Sequence, residues 1–161
     1  MDLKVIYHCY GGSHSSVLAA ALHLRLLPRH RLPTLEEMMA LPYFDKTTDE
    51  DFGAVKFMGV DEYNNEVYCL GKKSLGDRYS NLLTGIAGIL GKEGEVLAVN
   101  TMNRVNWFMK LGGYASRRAG LVALGRPVLG RGTRQAFFEL LNLVEITHLK
   151  SMQSTQQKGK I

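Results

Sequence analysis

The run LKVIYHCYGGSHSSVLAAALHL, residues 3–24, constrains the fold more than any other stretch of the chain. Residues 3–10 are apolar and β-favouring without strict alternation, the pattern of a strand buried on both faces. Gly11 and Gly12 interrupt it, and an alanine- and leucine-rich helical pattern then runs from about Ser15 to Leu27, where Pro28 stops it. A strand that turns through glycine straight into a helix is the opening unit of an α/β fold with a parallel sheet.

The downstream pattern continues this alternation. Thr34 and Glu37 have capping-box spacing, so a short helix is expected up to Leu41, before Pro42. Together, residues 28–54 read as a long excursion carrying one short helix, the kind of connection that serves as a lid or binding loop. AVKFMGV and EVYCLG flank DEYNN, which is hairpin chemistry. SLGDRYSNLLTGIAGILG reads as a helix, and EVLAVNT as a strand ending in Asn100 and Thr101. RVNWFMKLGG then suggests a helix, GLVALGRPVLGRG a strand with a glycine-rich end, and TRQAFFELLNLVEITHLK a final amphipathic helix capped by Thr133. The expectation is one α/β domain over residues 1–150, a three-layer sandwich with a mainly parallel sheet plus an antiparallel hairpin. A disordered polar tail is expected over 151–161. Ligands of such folds gather beyond the carboxyl ends of the strands, which would bring the junctions 9–16, 100–106 and 125–134 to one edge.

Composition narrows the class. At 45% hydrophobic and 22% charged residues, the 161-residue chain has the balance of an ordinary globular domain. No apolar run reaches the ~18 residues of a membrane helix, and MDLKVIYHCYGG breaks too early for a secretory signal, so a cytoplasmic location is expected. Two cysteines are too few for a disulfide framework, and five scattered histidines suggest no metal ligands. Charge is uneven, with net −4 over residues 1–70 and +9 over 71–161. That asymmetry suits a basic face meeting an anion, while no helix-turn-helix, RNP or zinc-finger pattern points to nucleic acid.

The first loop supports three readings. As a phosphate site, the glycines admit a ligand close to the backbone, and the helix start offers free N–H groups and a positive dipole end. Ser13, Ser15 and Ser16 add hydroxyls, and His14 adds a titratable ring. In this reading GGSHSSVLAAAL resembles the end of a Walker A loop, with His14 in the lysine's place and Ser15 at the following hydroxyl. It departs where His8 replaces the first glycine and where lysine is absent. Asn100 also stands where a carboxylate would help to hold Mg²⁺, the ion that a nucleotide would bring.

As a thiol site, CYGGSHSS resembles the phosphocysteine loop of sugar phosphotransferase enzyme IIB components. That resemblance implies Cys9 as phosphoacceptor and residues 10–16 as its cradle. The spacing is also similar to the loop of low-molecular-weight tyrosine phosphatases, but Ser15 stands where their essential arginine would be. A thiol beside a helix N-terminus gains nucleophilicity, whereas one packed in apolar surroundings is inert. The third reading is a capped structural turn, which needs fewer polar residues than are present.

Arg126, Arg131 and Arg134, in GRPVLGRGTR, would complete an anion clamp, and Asn100, Thr101, Asn103 and Arg104 would line the same edge. His8 reads as a core histidine, His23 and His148 as surface or packing residues, and Cys69 as a small buried strand residue. Trp107, Phe108, Phe137 and Phe138 read as packing residues, as do Tyr43 and Phe44.

KVIYHCYGGSHSSVLAAALHL, LPTLEEMMALPYFDKTTDEDFG and GVDEYNNEVYCLG are together similar to an uncharacterised family of small proteins from anaerobic spore-forming bacteria. The resemblance implies no activity. The residues themselves point to binding of a phosphorylated small molecule or nucleotide at 11–16, with phosphoryl transfer or phosphate-ester hydrolysis as the chemistry and Cys9 and His14 as its reactive groups. The alternatives are a regulatory or partner-binding module without turnover, and a phosphocysteine carrier using Cys9.

Overall fold

The computed structural model describes residues 3–76, 78–102 and 137–153. The architecture is the expected α/β class, built on a four-stranded mixed sheet. Strand β1 (Lys4–Cys9) lies inside it and pairs in parallel with β3 (Glu66–Gly71) and β4 (Val96–Asn100). Strand β2 (Val55–Val60) closes one edge antiparallel to β3, giving the order β2-β3-β1-β4. The helices are α1 (Ser15–His23), α2 (Leu35–Ala40), α3 (Arg78–Ile89) and α4, which covers 137–153. No helix among the described residues is long and apolar enough to cross a membrane.

Successive side chains of a strand point to opposite faces, and β1 shows what lies on each. The Tyr7 hydroxyl meets Nδ1 of His23 on α1 at 2.8 Å, whereas Nε2 of His8 meets Oγ of Ser80 on α3 at 2.9 Å. α1 and α3 therefore cover opposite faces, which makes three layers. α4 joins the α1 layer, where the His148 ring stacks on His23 with centroids 3.9 Å apart. Every residue of α1 is buried, because the small side chains of Ala19, Ala20 and Ala21 let the helix sit close against the sheet.

Helix α1 ends four residues before the expected Leu27. Arg25 adopts a left-handed conformation (φ 57°), its N–H donates to the Leu22 carbonyl, and the Leu26 N–H donates to Ala21. These two bonds form a Schellman stop with arginine in the position that glycine usually fills. α2 has the expected capping box between Thr34 and Glu37. The excursion also carries a 3-10 turn at Asp49–Asp51, and α4 continues through residue 153, into the stretch read as tail. The expected helix after Arg104 and strand over 120–132 lie outside the described residues, with Asn103, Trp107, Phe108, Arg126, Arg131, Thr133 and Arg134.

The loop after β1 folds back on the end of β3. The Lys72 and Lys73 N–H groups donate to the Cys9 and Tyr10 carbonyls, which extends the parallel ladder past both strands. Gly12 has φ +67°, and a Cβ on it would lie 2.4 Å from the Gly71 amide nitrogen. A Cβ on Gly71 would lie 2.8 Å from the Gly11 carbonyl carbon. Two glycines thus let two backbones touch where any side chain would separate them. Gly12→Ala combines a strained φ with this clash and is expected to destabilise the protein by roughly 2–4 kcal/mol. Urea unfolding monitored by circular dichroism measures the loss, and a change under about 0.5 kcal/mol would show that the crossing is dispensable.

Candidate functional site

The crossing fixes where the loop's polar groups go. Cys9 ends β1 on the α1 face and is 5% exposed. Its Sγ receives the Gly12 N–H at 3.1 Å and lies 3.1 Å from Ser16 Oγ in the first turn of α1. Ser15 reaches across to the β4 end, with its Oγ 3.0 Å from Thr101 Oγ1. Thr101 Oγ1 itself donates to the His8 carbonyl at 3.1 Å, so the Ser15 proton is the one shared between the two hydroxyls. Junctions 9–16 and 100–102 thus meet at the carboxyl edge of the sheet. Ser13, Ser15 and Ser16 are all buried, and the hydroxyls of Ser15 and Ser16 bond within the protein.

His14 is the N-cap residue of α1, yet its side chain makes no capping bond. It turns outward, with Nε2 3.1 Å from Asp45 Oδ1, Nδ1 3.4 Å from Ser13 Oγ, and its ring edge-on to buried Phe44 at 5.4 Å. Asp45 is held in place by its own N–H, which donates to the Ser13 carbonyl at 3.1 Å, and by a left-handed backbone (φ 54°). The 28–54 excursion therefore delivers a carboxylate to the loop's histidine.

Beside them opens a cleft of about 440 Å³ lined by Gly11, Asp45, Thr47, Thr48, Asp49 and Phe52. Thr47 Oγ1 donates to the Gly11 carbonyl and Thr48 Oγ1 to Asp51. With both hydroxyl protons committed, the threonines and the two carboxylates face the cleft as hydrogen-bond acceptors.

A second polar cluster lies deeper on the α1 face. His23 Nε2 is 3.0 Å from Asp61 Oδ2, and Asp61 also accepts from the N–H groups of Tyr63 and Asn65 and from the Asn65 amide. His148 Nε2 donates to the His23 carbonyl at 3.2 Å. Burial pushes the His23 imidazole down to about 4, against the upward pull of its bond to Asp61, so the ring is neutral. Burial alone would raise the Asp61 carboxyl, but the bonds from Asn65, His23 and Tyr63 hold it below its usual range. The Tyr7 phenol is raised by burial. Of the surface-or-packing expectation for His23 and His148, only packing holds, since both are buried with their rings stacked, and hydrogen bonds join it.

Cys69 is also buried, and desolvation pushes its thiol up to about 12, which leaves it inert as expected. A family model described as a protein of unknown function (DUF3189) matches residues 4–148. The chain belongs to the DUF3189 family. No curated protein and no solved structure matches it. The matched span of this DUF3189 protein takes in both polar clusters and the cleft.

The Ser15–Thr101 pair joins the loop to β4 and is open to a direct test. Ser15→Ala and Thr101→Val are each expected to cost about 1–2 kcal/mol, and the double variant less than their sum because both remove one shared bond. Denaturant unfolding of the four proteins of the cycle measures the coupling, and strict additivity would deny the bond any energetic weight.

Proposed function

We propose that this protein binds the phosphoryl group of a small molecule or nucleotide at the β1–α1 loop. The carrying observation is the start of α1, where His14, at the N-cap, makes no side-chain capping bond and turns its ring to Asp45. The leading amides of a helix in that state are a ready anion site, reinforced by the dipole. Because the Ser15 and Ser16 hydroxyls bond within the protein, the backbone amides of residues 15 and 16, at the start of α1, are the principal phosphate donors in this reading. His14, oriented by Asp45, is the group that moves a proton. The acceptor-rich cleft beside Gly11 suits the hydroxyl-bearing remainder of the ligand, which would offer it donors.

A second reading is favoured by the two bonds at Cys9. The Gly12 N–H donates to the Cys9 sulfur and the Ser16 hydroxyl lies 3.1 Å from it, so the loop that would cradle a phosphoryl group already closes around that sulfur. In the phosphocysteine reading the thiolate electron pair forms an S–P bond as the donor's P–O bond breaks. The departing oxygen then takes a proton from the His14 imidazolium.

Thermal unfolding in the presence of inorganic phosphate, sugar phosphates and nucleotides tests the binding claim. A ligand at a hundredfold excess over its Kd contributes about 2.7 kcal/mol, a rise in Tm of roughly 5–10 °C for a chain of this size. The rise is expected to vanish in Ser15→Pro, which removes an amide at the first helical position, where proline is tolerated, and to persist in Cys9→Ser. No stabilisation by any phosphorylated compound would overturn the reading. An acid-stable phosphoryl adduct, present in the wild type and absent in Cys9→Ser, would select the carrier reading.

A further inference from the structure

We propose that His23, Asp61 and His148 form a binding site for a divalent transition-metal ion, zinc by its abundance and ligand preference, which clamps α1, the β2–β3 turn and α4 together. One ring nitrogen from each histidine and one carboxylate oxygen all lie within 4.8 Å of one another, and all three residues are buried. Two imidazoles and a carboxylate are a donor set suited to borderline first-row ions such as zinc.

What sets this cluster apart from a chance meeting of polar groups is the support around each ligand. The Tyr7 hydroxyl holds Nδ1 of His23 at 2.8 Å, which directs Nε2 toward Asp61. The Tyr63 and Asn65 N–H groups hold Asp61 Oδ1 at 2.9 and 2.8 Å, and the Asn65 amide steadies Oδ2. Nε2 of His148 donates to the His23 carbonyl at 3.2 Å, which ties the α4 ring to α1. Outer partners of this kind orient metal ligands in proteins generally.

The Asp61 carboxylate offers the ion an anionic oxygen inside the protein, while Arg29 is paired with Glu145. A divalent cation would be balanced there by that carboxylate. On ligation the Nε2 lone pair of His23 binds the ion and the ring hydrogen sits on Nδ1, facing the Tyr7 oxygen. Ring lone pairs lie in the ring plane, and the two imidazoles now stack 25° from parallel, so ligation turns the His148 ring out of the stack. Burial of all three ligands leaves no face for a substrate, so the ion holds segments together rather than catalysing. The site shares none of its residues with the β1–α1 loop.

The test uses the full-length protein, stripped with a chelator and then titrated with zinc by calorimetry, with metal content measured after gel filtration. Cobalt(II) serves as a spectroscopic probe of nitrogen and oxygen coordination. Expected are stoichiometric zinc retention, a Tm that rises on adding zinc and falls on chelation, and cobalt absorption bands of a low-symmetry site. Affinity should drop at least tenfold in His148→Ala and Asp61→Asn, and by about 10–100-fold in Tyr7→Phe, which touches only the outer partner. Where a variant unfolds, the zinc dependence of the wild-type Tm and its cobalt spectrum still decide the matter. Absence of stoichiometric binding by the folded wild type would overturn the proposal. So would binding that survives undiminished in both His148→Ala and Asp61→Asn, since the ion would then sit elsewhere.

Discussion

The contact on which the candidate site depends is the touching of two backbones at Gly12 and Gly71. It sets the height of the β1–α1 loop above the sheet, and from that height follow the reach of Ser15 to Thr101 and of Cys9 to Ser16. The same crossing brings Gly11 to the mouth of the cleft, where Thr47 donates to its carbonyl. A side chain at either glycine would lift the loop away from β3 and loosen all of these contacts together, because each spans only one hydrogen-bond length.

With the loop at that height, its chemistry is divided by direction. The Ser15 and Ser16 side chains point inward and bond to Thr101 and Cys9, while His14 points outward to Asp45. A capped turn would have used a side chain to satisfy the leading N–H groups of α1, yet the residue at the N-cap is occupied elsewhere. The serines, prominent in the sequence as apparent phosphate ligands, bond within the loop, and the proposed anion site therefore falls to the backbone. What the loop shares with the Walker A pattern is the glycine turn into a helix start, while the lysine and the first glycine of that pattern are absent.

What was legible in the sequence was local. The buried strand, the glycine turn, the start of α1, the Thr34–Glu37 capping box and the hairpin around DEYNN each rest on interactions within a few residues, and each has a composition that signals it. The end of α1 was not legible, because Arg25 takes a left-handed conformation with no glycine to mark it. The partner of His14 was hidden for a different reason. Asp45 lies 31 residues away in a segment without regular periodicity, and only the fold of the excursion brings the two together. His23, Asp61 and His148 are still more scattered, Asp61 lying 38 and His148 125 positions along the chain from His23. Nothing in the spacing of those residues could reveal that they share one point in space.

The two histidine–aspartate pairs show how little the residue types alone decide. His14–Asp45 and His23–Asp61 have nearly the same separation, 3.1 and 3.0 Å, and the same pairing of Nε2 with a carboxylate oxygen. The first pair sits partly in solvent, with side chains 36% and 46% exposed, whereas the second is sealed at 0% and 1%. Solvent gives the first pair access to bulk water and screens its charge. Burial denies the second pair that access and magnifies the consequence of any unbalanced charge. The sequence contains the same two residue types twice, and the depth at which the fold places each pair, not the pairing itself, gives the two their different surroundings.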